Sequence, residues 1–298
     1  MKHLFFTSTI SLCTFLMSWS QDKIPTVRRS DHAYIRGYYK SLQLLDQKAK
    51  PTQTALDTTK YGTTAADWGR FSNLQPYYLE AKPELIKIPP PPANNSVQTK
   101  KELEYLVTLQ QQRSEEDVRS SLFYANVWFN VKITKEDEEY ARFQRNLFHI
   151  GRSIGVWFNA DSLPVTRNLI ASVWRDANYF IWYYKYKYDR IRPYKLEPQL
   201  KNLQETNWPA YPSGHAGNSY VAAYLYSALA PEFADIFVKD ALDMAHSREI
   251  IGVHFPSDSE SGRVLARQLI DLLMDNPKFR SDFKKAQEEW RTVRSRNL

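Results

Sequence analysis

Cysteine is almost absent from this 298-residue chain: Cys13 is the only one. It falls in an apolar leader, so the exported chain is expected to have neither a disulfide framework nor thiol chemistry. Beyond that leader, no stretch approaches ~18 uninterrupted apolar residues. The richest candidate, Ile170 to Tyr188, is broken by Arg175, Asp176, Lys185 and Lys187, so no transmembrane span is expected in the mature chain. The net charge is +7, or 7 − 1 = +6 once Lys2 is removed, and no long basic run accompanies it. Nucleic acid is therefore not an expected partner, whereas a locally positive pocket would steer small anions inward. The histidines show no metal-ligand spacing with carboxylates, so neither a catalytic metal nor any other cofactor is expected. Strand-like alternation and internal repeats are absent as well.

What is present begins with a signal peptide over residues 1–20. Lys2 and His3 give a polar start, Leu4 to Trp19 are mostly apolar, and Ser18 and Ser20 place small residues before a cleavage site near Ser20-Gln21. Leu12 stands where a lipoprotein signal needs a small residue before Cys13. A periplasmic or secreted bacterial location is the expectation. Residues 21–85 are polar with little period and are read as an irregular extension. A four-proline run, Pro89 to Pro92, marks the boundary of a domain assigned to residues 86–298.

From Lys100 onward the pattern is helical. Leu103, Leu106, Val107 and Gln110 begin one amphipathic stretch, and Leu122 to Trp128 end a second. Tyr140, Phe143, Leu147, Ile150 and Ile154 predict one long helix over Glu136 to Phe158, and Pro164 starts another toward Lys185. Gly214 to Ala230, Glu232 to Ile251, Asp258 to Met274 and Lys278 to Val293 follow. The fold class is all-α, a compact multi-helix bundle. The aromatics between Tyr179 and Tyr188 fall at helical spacing, as core filling and a pocket rim require.

Chemistry concentrates in three short stretches. The first is Lys185 with Arg192-Pro193; the second is Pro212-Ser213-Gly214-His215; the third is Ser247-Arg248, then His254 and Asp258. A transferring phosphoryl group spreads negative charge over three oxygens, so its catalysis is mostly positioning and charge stabilisation. Arg192 and Arg248 supply planar donor forks, and Lys185 a point charge. Lys187 competes for the lysine role, and the spacing to Arg192-Pro193 selects Lys185. Two histidines, His215 and His254, can divide into neutral nucleophile and charged acid. Asp258, four residues after His254, can accept one ring N–H and leave the other nitrogen's lone pair free. Ser213 is placed as cap of the following helix, with Gly214 letting an anion approach its N–H groups. Ser257 and Glu260 read as a capping box that puts Asp258 in a first helical turn. His32, His149 and His246 match no position of the pattern.

In this order the three stretches resemble the signature of the type 2 phosphatidic acid phosphatase (PAP2) superfamily. It is shared by bacterial class A non-specific acid phosphatases and vanadium haloperoxidases. The likeness is greatest to the class A enzymes: Ile88-Pro-Pro-Pro-Pro-Ala93 with Ser96, and the run from Ser247 to Arg263, are similar to theirs. It covers roughly Tyr78 to Leu273. Pro209-Ala210, Ala216 and Phe255-Pro256 depart from the usual class A residues, and the Thr-x-Arg-Trp stretch expected near residue 125 is missing.

The resemblance implies an acid phosphatase that hydrolyses small phosphate monoesters in two displacements. His254 would attack phosphorus with Asp258 fixing its tautomer, and His215 would protonate the leaving alcohol and then activate water. Lys185, Arg192, Ser213, Gly214 and Arg248 would bind the phosphoryl oxygens. The alternatives are a vanadium-dependent haloperoxidase, which the proline-rich class A segment and the modest length argue against, a lipid or pyrophosphate phosphatase, and an inactive binding protein, which the intact set of catalytic residues argues against. Assembly into a homo-oligomer is left open.

Overall fold

The computed structural model describes residues 59–127 and 133–297. The signal-peptide assignment, His32, residues 21–58 of the extension and Trp128 lie outside them. Every regular element among the described residues is helical, as the sequence pattern requires. Helix α1, Ala65–Ser72, falls in the stretch expected to be irregular. Thr64 and Asp67 form a reciprocal capping box at its start, with Asp67 N–H on the Thr64 hydroxyl and Thr64 N–H on the Asp67 carboxylate. Helix α2 is Val97–Gln112, α3 is Glu115–Ala125 and α4 is Tyr140–Leu147.

The long helix expected over Glu136 to Phe158 is not formed. Only its middle becomes α4, and turns replace the rest. The Leu147 carbonyl accepts the Tyr226 hydroxyl (2.6 Å), and Gly151 takes φ +89 while its N–H donates to Asp240 (2.8 Å). A Cβ on Gly151 would also lie 2.3 Å from the Phe237 ring. The apolar residues beyond, Ile150, Trp157 and Phe158, are buried all the same. Burial by tertiary contacts thus produced a helix-like spacing without a helix.

Helix α5, Pro164–Tyr188, is the spine of the fold. Pro164 occupies its first turn, and the N–H groups of Val165 and Thr166 donate to Glu289 (2.7 and 2.9 Å). Glu289 belongs to the last helix, so the C-terminal helix is tied to the start of α5. Midway along α5, the buried Asp176 carboxylate receives the N–H groups of Tyr77, Tyr78 and Leu79. Burial pushes its carboxyl up to about 6 against the pull of those donors. At the C-terminal end Asp189 adopts φ +50 and takes the N–H groups of Gly62 and Thr63, 3.0 Å each. The segment ahead of the proline run is therefore strapped along α5.

After the single turn α6, Pro193–Leu196, come α7 (Gly214–Leu229), α8 (Ala234–Ile250), α9 (Pro256–Asp275) and α10 (Pro277–Asn297). Helix α7 is buried on every side from Ala216 to Ser227, as suits the central helix of a bundle. It packs chiefly on α8 and α9 and crosses α5. The crossing with α9 is close: a Cβ on Gly262 would sit 2.8 Å from the Gly217 nitrogen and 2.9 Å from the Ser213 carbonyl oxygen. With no side chain there, Ser213 N–H reaches the Asp258 carbonyl (2.9 Å). The starts of α7 and α9 are thereby fixed against each other. No helix among the described residues is long and apolar enough to cross a membrane.

Candidate active site

The ends of four helices meet at one point. Lys185 comes from the last turn of α5, Arg248 from the last turn of α8, and Asp258 from the first turn of α9. Ser213 caps α7, its hydroxyl accepting Ala216 N–H (3.3 Å), and Gly214 and His215 open that helix. Arg192 and His254 sit in the connections before α6 and α9. All but Gly214 and His215, which are half-buried, are buried. The N-terminal end of α7 therefore lies at this point, and a helix N-terminus favours an anion.

The donors are held by backbone carbonyls. Lys185 Nζ donates to Pro209 O (2.8 Å) and Ala210 O (3.3 Å). Arg192 donates to Trp208 O (3.0 Å), Pro209 O (3.2 Å) and Val253 O (2.8 Å). Its Nη1 also lies 2.9 Å from His254 Nε2. A guanidinium can only donate, so His254 Nε2 accepts and the ring proton is on Nδ1. That proton goes to Asp258 Oδ2 at 3.1 Å. The tautomer required of an attacking histidine is thus set from both sides.

Arg248 donates from Nη2 to the side-chain oxygen of Gln204. Its Nε and Nη1 are buried and find no acceptor among the described residues. A buried guanidinium with unused donors is costly unless an anion meets them. The charge of the cluster agrees. Burial, with Arg192 alongside, depresses Arg248 to about 9. Burial also lowers Arg192 to about 10, opposed by Asp258. Lys185 is depressed by burial and by both arginines, with Asp258 opposing. His215 is lowered by burial, then Arg248, His254 and Lys185, while a hydrogen bond to the Ala125 backbone works the other way. For His254, burial and Arg192 outweigh Asp258. Each group is a cation or potential cation short of negative charge.

Asp258 is the carboxylate on His254. Burial would raise it, yet Arg190 and His254 overcome burial and hold it at about 2. Its Oδ2 also takes the Phe255 N–H (2.9 Å). This replaces the expected capping box. Pro256 fills the first helical position, so α9 begins two residues earlier than the Ser257–Glu260 pattern implied, and the Asp258 carboxylate caps the start. Ser257 turns to Glu102 (2.9 and 2.8 Å), and Glu260 pairs with Arg263.

Lys187 lies apart from the cluster, over the rings of Tyr183, Tyr184 and Tyr188 at 5.4–5.5 Å. His149 is buried against Phe123 and Tyr124, and burial lowers it to about 3. His246 pairs with Glu249 (3.2 Å). Among the described residues no three His, Cys, Asp or Glu side chains group as a metal site. Three residues absent from the sequence pattern join the site: Arg190 and Glu102 behind Asp258, and Gln204 on Arg248. For Arg190 a signal existed, because it stands two residues before Arg192 in an extended connection and so on the same side. Glu102 and Gln204 carried none.

Residues 168–280 match the PAP2 superfamily. Over 113 residues the chain is 31% identical to a non-specific acid phosphatase of Providencia stuartii, covering 36% of this chain and 45% of that protein. Over 143 residues it is 28% identical to a non-specific acid phosphatase of Salmonella typhi, covering 46% and 57% respectively. The chain thus spans about half the length of the curated relatives it matches. Among solved structures, a bacterial vanadium-dependent iodoperoxidase superposes with TM-score 0.51 at 19% identity, covering 78% of this chain and 64% of that one. That likeness concerns the fold. The segment from 168 to 280 that matches the PAP2 superfamily carries Lys185, Arg192, Ser213, Gly214, His215, Arg248, His254 and Asp258.

Proposed function

We propose that this protein is an exported, metal-independent acid phosphatase that hydrolyses phosphate monoesters through a phosphohistidine on His254. The observation that carries this reading is Arg248, buried beside Arg192 and Lys185 with two donors unused. A phosphoryl group brings the three oxygens and the negative charge that such a cluster lacks. The match to the PAP2 superfamily and to curated acid phosphatases supports it.

The chemistry runs in two displacements. Arg192 turns its Nη1 donor from His254 to a phosphoryl oxygen, and Lys185, Arg248, Ser213 and the N–H of Gly214 hold the others. The freed Nε2 lone pair of His254 attacks phosphorus, the ester P–O bond breaks, and His215 gives its proton to the departing oxygen. Asp258 takes up the charge that forms on the imidazole through Nδ1. His215, now neutral, removes a proton from water; the water oxygen attacks phosphorus, the N–P bond breaks, and inorganic phosphate leaves. Charge stabilisation comes from three side-chain cations, so no step calls on a metal.

The test is hydrolysis of p-nitrophenyl phosphate, which is expected to proceed unchanged in EDTA and to be inhibited by orthovanadate. Activity that vanishes in EDTA and returns with zinc or magnesium would overturn the metal-free mechanism. Halide oxidation by the vanadate-loaded protein without phosphatase activity would instead assign the haloperoxidase chemistry.

The pH profile follows from the directions of the histidine shifts. Protonated His215 is needed, so activity falls as pH rises through its pKa, which lies well below 6.5 in the free protein. Neutral His254 is needed, so activity falls as pH drops through its own lowered pKa. The kcat/KM profile is therefore expected to be a bell on the acid side of neutral. A bound phosphoryl group restores negative charge, so the alkaline limb of kcat should lie at higher pH than that of kcat/KM. Coincident alkaline limbs for a substrate that stays dianionic would count against His215 as the acid.

A further inference from the structure

Behind Asp258 lies a second buried charge cluster that the displacement chemistry does not use. Arg190 is 2% exposed, Glu102 1% and Asp258 0%. Arg190 Nη1 donates to Asp258 Oδ1 (2.6 Å) and to Ser257 Oγ (2.8 Å). Its Nη2 lies 3.4 Å from Glu102 Oε2. Glu102 in turn accepts both the N–H and the hydroxyl of Ser257 (2.9 and 2.8 Å). The guanidinium is stacked on the Phe255 ring, 3.9 Å from its centroid.

The two oxygens of Asp258 are thus divided. Oδ1 belongs to Arg190, and Oδ2 belongs to the Nδ1–H of His254 and the N–H of Phe255. We infer that Arg190, clamped by Glu102 and Ser257, is a positioning residue that fixes the Asp258 carboxylate and through it the reactive tautomer of His254. This rests on the phosphoryl-transfer reading above. A buried ion cluster is a poor source of stability, since desolvation offsets most of the attraction. Its geometric value is larger: a carboxylate locked at one oxygen cannot rotate away from the histidine at the other. The charges are also split to suit. Burial raises Glu102 to about 7 despite Arg190 and Ser257, whereas Asp258 stays near 2. Negative charge is thereby kept on the carboxylate that touches His254.

The experiment uses the full chain and the double variant Arg190→Gln/Glu102→Gln, which replaces the guanidinium and its clamping carboxyl by neutral amides. Arg190→Lys, which keeps the charge and loses the fork, is measured beside it and decides if the double variant does not fold. Turnover of p-nitrophenyl phosphate, inhibition by orthovanadate and the His254 tautomer from nitrogen-15 NMR are recorded for each. The expected result is a fall in kcat of about 10–100-fold, with KM and the vanadate inhibition constant within about threefold of the parent. The single Nδ1–H tautomer of His254 should give way to a mixture. A folded variant whose kcat and tautomer match the parent would overturn the inference. So would a loss of vanadate binding in step with kcat, which would make Arg190 a general support of the phosphate cradle. If the parent itself fails to hydrolyse the ester, the phosphatase reading falls, and the tautomer measurement still decides the role of Arg190.

Discussion

His254→Ala is expected to abolish turnover, a fall in kcat on the order of 10⁴-fold or more, the scale of removing a covalent nucleophile. The size follows from the absence of a substitute. The hydroxyl of Ser213 accepts the α7 cap hydrogen bond and is assigned to donate to a phosphoryl oxygen, Asp258 is held by Arg190 and the Phe255 N–H, and the other side chains are cations or the proposed acid His215. The fold should survive, because Asp258 keeps Arg190 and the Phe255 N–H when the imidazole is gone. Orthovanadate should still bind through Lys185, Arg192 and Arg248. Substantial hydrolysis by a purified His254→Ala protein would require a different nucleophile.

The next largest effect is expected at the two arginines. Arg192→Lys and Arg248→Lys should each lower kcat/KM by roughly 2–4 kcal/mol, the loss of one preorganised donor set to a developing oxyanion. A lysine retains the charge but cannot reproduce the fork. Arg192 holds the Trp208, Pro209 and Val253 carbonyls as well as His254, and one ammonium cannot reach all four. In Arg248 the two unused donors, Nε and Nη1, are the ones a lysine lacks. Lys187→Ala is the control: over three tyrosine rings and outside the cluster, it should change kcat/KM by no more than about twofold. A severe loss from Lys187→Ala together with an active Lys185→Ala would place the lysine role two residues away.

Most of the site was legible in the sequence because its members sit at helix ends that the pattern also marks. Lys185 closes a run of helical spacing, Ser213 carries a cap side chain before an apolar helix, and Asp258 follows Ser257, which the pattern reads as a helix start. What the sequence could not show was decided by partners distant in the chain. The helix expected beyond Leu147 is broken by Tyr226 and Asp240 taking its backbone groups. The Ser257–Glu260 box yielded to Glu102, a residue of α2 that no local pattern links to α9. Glu102 looks like any polar position of an amphipathic helix until the fold buries it. Helix α1 was missed for a smaller reason: its Thr64–Asp67 box lies in a polar stretch with no apolar period to attract notice.

If phosphorus is carried on His254, the intermediate can be trapped on that side chain. The protein is mixed with phosphorus-32-labelled ester, quenched in alkaline denaturant within a turnover, digested and mapped. Label is expected on the peptide containing His254, stable in alkali, lost in acid, and absent from His254→Ala. Label on Ser213 that survives acid, or transfer of phosphate to water with inversion at phosphorus and no labelled protein, would contradict it.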